Sequence, residues 1–132
     1  MYLLNTNICV ALLKQNALAV RKFNAKAGFC YLSTIVMAEL YKGVYCSRRR
    51  WQNLTVLEQF LSLMPIVEFD SIAAEEFGKI QAELKRIGRP TGEIDAIIIG
   101  AVARSRQDIL VTNNTRHFIN ILGLQLENWL EP

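Results

Sequence analysis

The sequence predicts an α/β domain of three layers, in which a mainly parallel sheet of four or five strands lies between helices. Short apolar runs alternate along the chain with segments whose apolar residues recur at helical spacing. The short runs are apolar at successive positions, which is typical of strands that are buried on both faces of a parallel sheet.

The chain has the size of one domain, so we expect a single unit spanning residues 1–132. Hydrophobic residues make up 52% and charged residues 20%, a balance that favours a packed core over disorder. The uncharged stretches at 1–13 and 27–38 are shorter than the roughly 18 to 20 apolar residues of a membrane span. We therefore expect no membrane segment and a cytoplasmic location.

The first strand is predicted at residues 2–4, an apolar run that ends at a polar turn. Thr6 or Asn7 can cap the helix that follows this turn. A second helix is predicted over residues 17–24.

The aromatic, β-prone run at 29–32 predicts the second strand. Ser33 can cap a helix that continues to about residue 44. The next helix is predicted from a stripe that we expect in the core, namely Trp51, Leu54, Leu57, Phe60 and Leu61.

Residues 65–69 predict a third strand, and Asp70 or Ser71 can cap a long helix that Gly88 and Pro90 end. Its apolar stripe consists of Phe77, Ile80, Leu84 and Ile87.

The segment 94–105 predicts a helix that is apolar nearly all round and therefore buried. A fourth strand is predicted at 109–111, a short helix within 113–120, and an edge strand at 124–126.

Charge is distributed unevenly along the chain. Residues 1–57 contain eight Lys or Arg and one acid, giving 8 − 1 = +7, whereas residues 58–132 contain seven and eleven, giving 7 − 11 = −4. A basic surface attracts polyanions, so nucleic acid is a plausible partner.

Four polar residues are predicted near the ends of strands or the starts of helices, where parallel sheets bind their ligands. Their oxygen atoms suit Mg²⁺ or Mn²⁺. Zinc is not expected, because the single histidine, His117, is not grouped with other zinc ligands. The four residues are Asn5, Glu39, Asp95 and Asn114.

Each of these residues also has a simpler explanation. Asn5 could be a helix cap and Asn114 a turn residue. Asp95 could be a first-turn carboxylate that the helix dipole stabilises, and Glu39 could be a solvated surface acid.

Five segments in order, LLNTNI, LSTIVMAELYKGV, GRPTGEIDAIIIGAVARSR, ILVTNNTRHF and LENW, closely resemble PIN domains of the VapC toxin family. The resemblance covers essentially the whole chain. It places the family's first aspartate at Asn5, its glutamate at Glu39 and its central aspartate at Asp95. The polar position after the last core strand falls on Asn114, with Asn113 adjacent.

The resemblance implies a magnesium-dependent endoribonuclease toxin of a type II toxin–antitoxin pair, which leaves a 5′-phosphate and a 3′-hydroxyl. Transfer RNA is a reasonable substrate, and the implied partners are a VapB-type antitoxin and a second copy of the chain. Asn5, Glu39 and Asp95 would hold metal, and Thr6 or Thr112 would orient water or phosphate. Asn113 and Arg116 are expected to contact substrate, and the alternative role for Arg116 is a structural pair with a nearby acid.

Asparagine at position 5 departs from the family pattern and removes one negative charge from the site. We expect weaker metal binding and weakened or lost catalysis, whether the residue is a deliberate substitution or a natural variant. The alternative is an inactive PIN-like module that binds RNA or antitoxin without turnover. A receiver-type signalling domain fits poorly, because it needs an acid after strand one and a late lysine.

Overall fold

The computed structural model describes residues 1–132, which form five strands and six α-helices. The strands are β1 (Tyr2–Leu4), β2 (Cys30–Ser33), β3 (Ile66–Val67), β4 (Ile109–Val111) and β5 (Gln125–Glu127). The helices are α1 (Thr6–Leu13), α2 (Ala17–Ala25), α3 (Thr34–Tyr45), α4 (Arg50–Leu61), α5 (Ser71–Arg86) and α6 (Ile94–Ser105). A single 3₁₀ turn, Thr115–His117, follows β4.

The sheet has the order β3-β2-β1-β4-β5, and every neighbouring pair is parallel. In β1, the central strand, Leu3 lies opposite Tyr31 on one side and Leu110 on the other. Leu3 and Leu4 point to opposite faces of the sheet, and both are fully buried. Both faces are therefore covered, which confirms the predicted three-layer α/β class.

The carboxyl ends of β1 and β4 lie side by side, because Leu4 pairs with Val111. The backbone N–H of Asn5 donates to the carbonyl of Val111 at 2.9 Å, which extends this alignment past the last pair. The segments that follow the two strands therefore begin at the same edge of the sheet.

Two groups of helices cover the sheet. Helix α1 contacts α2, α3 and α4, while α5 packs along α6, and α3 also contacts α6. Gly100 in α6 allows a close approach of the segment before β5, since a Cβ atom there would lie 3.2 Å from Ile121 Cδ1.

Several sequence expectations are corrected by the structure. Asn5, rather than Thr6 or Asn7, occupies the N-cap position of α1. Trp51 is 73% exposed and lies outside the core, and Ile87 is exposed beyond the end of α5. The short helix expected within 113–120 is reduced to the single 3₁₀ turn.

None of the helices combines the length and the apolar character that a membrane crossing requires.

Candidate active site

A pocket of about 310 Å³ lies at the carboxyl ends of β1 and β4. All four residues singled out from the sequence line it, and we call it the acid pocket. These residues come from four separate segments of the chain: Asn5, Glu39, Asp95 and Asn114. Thr6, Asn7, Ala96, Ile99, His117 and Phe118 complete its lining.

Asn5 is 8% exposed and is held by its cap position. Its Oδ1 accepts a hydrogen bond from the Thr6 backbone N–H at 2.9 Å, and its Nδ2 donates to Thr112 Oγ1 at 3.0 Å. The reversed amide would set Nδ2 against the Thr6 N–H, so these partners fix which end of the amide faces which.

Thr112 is fully buried and lies behind Asn5. Besides the amide of Asn5, its Oγ1 accepts from the Asn114 backbone N–H at 3.0 Å and from Asn7 Nδ2 at 3.3 Å. Thr112 thus ties the turn after β4 to the start of α1. It is absent from the pocket lining, so its side chain positions other residues.

The two carboxylates of the acid pocket come from the middle of α3 and the first turn of α6. Glu39 accepts a 2.5 Å hydrogen bond from the Thr6 hydroxyl through Oε1. Its other oxygen and both oxygens of Asp95 have no hydrogen-bond or ion-pair partner in the structure. Acceptors in the pocket therefore stay open for a cation.

The donor set of the pocket suits a hard divalent ion, because it offers carboxylate and amide oxygens and no thiolate. The chain nevertheless has no group of three or more acidic, histidine or cysteine side chains arranged as metal ligands. Glu39 and Asp95 are the two charged candidates, with Asn114 as a neutral one. Asn5 Oδ1 already accepts from Thr6, so it can offer only its remaining lone pair.

Two other residues singled out from the sequence lie outside the acid pocket. The Asn113 backbone N–H donates to Asn7 Oδ1 at 3.1 Å, and its side-chain Oδ1 accepts from Asn128 at 3.2 Å. Arg116 lines a neighbouring groove.

His117 lines the acid pocket although the sequence reasoning gave it no role. Its Nδ1 lies 2.8 Å from Glu93 Oε2. The signal in the sequence for placing His117 at the pocket was its position three residues after Asn114, about one helical turn further along.

The two buried cysteines, Cys9 and Cys30, provide no thiolate. Burial raises the pKa of the Cys9 thiol far above its usual range, and burial also raises the pKa of Cys30 to about 11. Both are neutral thiols near pH 7, and Cys9, Cys30 and Cys46 are all free. Thiolate chemistry is therefore not available in the core beside the acid pocket.

The PIN-domain family model matches residues 2–122 of the chain. The chain belongs to the PIN-domain family, in its VapC-type branch. A curated relative from Shigella flexneri, the tRNA(fMet)-specific endonuclease VapC, is 42% identical over 129 residues and covers 97% of both chains. Ribonuclease VapC2 of Haemophilus influenzae is 42% identical, with 98% of both chains covered.

Solved VapC-type structures have the same fold as this PIN domain. The DNA-bound VapBC of Salmonella typhimurium superimposes with a TM-score of 0.89 at 36% identity, covering 97% of each chain. The promoter-bound VapBC2 of Rickettsia felis gives a TM-score of 0.88 at 35% identity, covering 97% of this chain and 98% of that one. The family resemblance predicted from the ordered sequence segments is thereby confirmed.

Proposed function

We propose that this VapC-type PIN domain is a divalent-metal-dependent endoribonuclease toxin whose activity is reduced by asparagine at position 5. The observation that carries the proposal is the presence of Asn5, Glu39, Asp95 and Asn114 in one pocket. Ribonuclease names among its relatives support the reaction class.

In this proposal Glu39 and Asp95 provide the negative charge that holds Mg²⁺ or Mn²⁺, and Asn5 and Asn114 provide neutral oxygens. When bound, the metal would lower the pKa of a water molecule and would place positive charge beside the scissile phosphate. Thr6 holds the Glu39 carboxylate through its hydroxyl. Thr112 holds Asn5 and the Asn114 backbone, and so acts on the substrate only through them.

Asparagine at position 5 affects the site through charge rather than shape. An aspartate could keep the cap bond to the Thr6 N–H, and its second oxygen could accept a hydrogen bond from the Thr112 hydroxyl where the amide now donates one. The amide keeps the two contacts but leaves the pocket with two carboxylates. Weaker metal binding follows from the lost charge.

Transfer RNA is the proposed substrate class, because the relative from Shigella flexneri is named as a tRNA(fMet)-specific endonuclease. The proposed partner is a VapB-type antitoxin, since the similar solved structures are VapBC complexes. A homodimer, a cytoplasmic location and a single functional unit of residues 1–132 complete the proposal. Asn113 is proposed as an outer substrate contact beyond the acid pocket.

The second candidate function is a binding module without turnover. The observation that favours it is that Glu39 and Asp95 are the two carboxylates lining the acid pocket and that they form no three-ligand metal group with another acid, histidine or cysteine. The two functions differ in what the restored carboxylate at position 5 would do.

The test compares the native chain with Asn5→Asp in Mg²⁺-dependent cleavage of a transfer RNA panel, read by sequencing the new RNA ends. We expect the restored carboxylate to raise cleavage about 10- to 100-fold, the usual effect of altering a group around a metal site. Asn16→Asp is the matched control. Asn16 caps α2 by accepting a backbone N–H through its side chain, as Asn5 does for α1, and it does not line the acid pocket. Equal activity of the native and Asn5→Asp chains would refute the proposed weakening, and no cleavage by either would favour the binding module.

A further inference from the structure

A second groove beside the acid pocket is lined by two arginines that lack a carboxylate partner. Arg89 and Arg116 line it together with Thr91 and Asn120, and we call it the arginine groove. Neither guanidinium takes part in an ion pair within the chain.

Two other arginines in this half of the chain, Arg104 and Arg106, are matched with acids. Arg104 donates from Nε to Glu76 at 2.7 Å and from a terminal nitrogen to Glu83 at 2.9 Å. Arg106 Nε lies 3.4 Å from Asp108. Arg104 and Arg106 form ion pairs within the fold, whereas the positive charges of Arg89 and Arg116 have no acidic partner.

One carboxylate, that of Glu93, lines the arginine groove. Its Oε2 is 2.8 Å from His117 Nδ1, and it forms no ion pair with Arg89 or Arg116. The lining therefore carries two arginines against one acid.

The arginine groove and the acid pocket share His117 in their walls, so the two recesses are neighbours. Beneath the groove lie three buried apolar residues, Leu84, Ile97 and Ile121. A strand whose scissile phosphate lies at the acids could continue past His117 into the groove.

We propose that the arginine groove binds a backbone phosphate adjacent to the scissile one, with Arg89 and Arg116 as its ligands. Guanidinium groups bind phosphate oxygens through paired N–H donors. Their charge also offsets the carboxylates of the acid pocket, which repel a polyanion until metal is bound. This inference rests on the proposed ribonuclease function, because it assumes that RNA is the substrate.

The test measures binding rather than cleavage. A fluorescein-labelled, 2′-O-methylated RNA oligonucleotide is titrated with the native chain in EDTA at several salt concentrations, and affinity is read by fluorescence anisotropy. Arg89→Gln and Arg116→Gln are each expected to weaken binding. Each should also lower the slope of log affinity against log salt by about 0.7, the value for one lost contact to single-stranded nucleic acid.

Arg86→Gln is the matched control, since Arg86 is an exposed arginine at the end of α5 that does not line the groove. It should leave the slope unchanged. Arg89→Lys and Arg116→Lys retain the charge and should retain the slope, which covers the case in which a glutamine variant fails to fold. Thermal midpoints of all variants report folding.

Unchanged slopes in Arg89→Gln and Arg116→Gln would overturn the proposal, as would an equal decrease in Arg86→Gln or no RNA binding by the native chain. Unchanged RNA slopes together with weaker binding of a polyglutamate peptide would assign the groove to an acidic protein segment, which also overturns it. If the slopes decrease as expected but Asn5→Asp does not cleave, the ribonuclease proposal fails and the phosphate site stands. If Asn5→Asp cleaves RNA but the slopes are unchanged, the phosphate site fails and the ribonuclease proposal stands.

Discussion

Thr112 shows how one buried hydroxyl can hold a site together without lining it. Its Oγ1 accepts from two side-chain amides and one backbone N–H, which come from the segments after β1 and β4. Three donors compete for the two lone pairs of this oxygen. Removing it would leave the buried side-chain N–H of Asn5 and the partly buried backbone N–H of Asn114 without a partner.

Thr112→Val keeps the shape of the side chain and removes the hydroxyl. We expect it to lower the free energy of unfolding by about 1 to 3 kcal/mol, the cost of leaving buried donors unsatisfied. Urea denaturation measures the change, and Thr55→Val is the control because the Thr55 hydroxyl bonds only to the Trp51 carbonyl on an exposed face of α4. A loss no larger in Thr112→Val than in Thr55→Val would contradict this account.

The sequence predicted which residues meet in the acid pocket, but not how they are held. Glu39 and Asp95 could be placed there because Glu39 lies one to two helical turns after β2 and Asp95 opens α6, and ligands of parallel sheets bind at the carboxyl ends of the strands. The contact between His117 and Glu93 could not be predicted, because the two residues come from separate segments of the chain. Contacts between loops depend on loop conformation, which has no periodic signal in the sequence.

At the scale of elements, Tyr31 links β2 to the start of β4. Its hydroxyl donates to Asp108 Oδ2 at 2.7 Å, and Asp108 also binds the Met1 ammonium at 2.9 Å. Burial and this hydrogen bond raise the pKa of the Tyr31 phenol well above its usual value of 10.0. The folded protein therefore binds the phenolic proton more tightly than the unfolded chain does.

A raised pKa stabilises the fold below the pKa of the unfolded phenol, and the stabilisation is lost as pH rises above about 10. We expect Tyr31→Phe to lower the free energy of unfolding by about 1 kcal/mol at neutral pH, the value of one hydrogen bond. The difference from the native chain should shrink as pH rises from about 9 to 11. Tyr41→Phe, whose hydroxyl makes no hydrogen bond within the chain, is the control; a pH-independent Tyr31→Phe difference would be evidence against this assignment.

The helices and strands themselves were predicted closely because their apolar periodicity is local. The predicted bounds of α6 and β4 match the structure, and most other ends shift by a residue or two. Trp51 was placed in the core wrongly, because its spacing fits the stripe of Leu57 and Phe60 while α4 presents that turn to solvent. Periodicity identifies the apolar face of a helix, but not how far its partner extends.

For the whole molecule, burial predicts a gradient of local stability. The central strand β1 is paired on both sides, and Leu3 and Leu4 are fully buried. Helix α2 has Ala19 as its single buried residue. The amide hydrogens of β1 should therefore exchange only through global unfolding, and those of α2 through local opening.

Native-state hydrogen exchange followed by NMR at low denaturant measures this gradient. Opening free energies for Leu3 and Leu4 should equal the global value, whereas those in α2 should be lower and insensitive to small amounts of denaturant. Exchange of α2 as slow as that of β1 would show that burial within one chain does not set its stability.

Whole-molecule charge was the least informative of the sequence features. The excess of positive charge lies in residues 1–57, yet Arg89 and Arg116 belong to the part whose net charge is −4. Arg89 and Arg116 differ from their neighbours because nearby acids contact Arg104, Arg106 and His117 instead of them. Net charge along the chain cannot reveal such pairing, because the fold mixes the two halves of the sequence.

The contact between Asn5 and Thr112 spans 107 positions of the sequence, and this has a consequence during translation. A nascent polypeptide released by premature termination before Ile109 has no β4, no Asn114 and therefore no complete acid pocket. Ribosomes add about 5 to 20 residues per second, so several seconds separate synthesis of the first wall from synthesis of the last. Incomplete products therefore lack the assembled acid pocket, which can form only once nearly the whole polypeptide has been made.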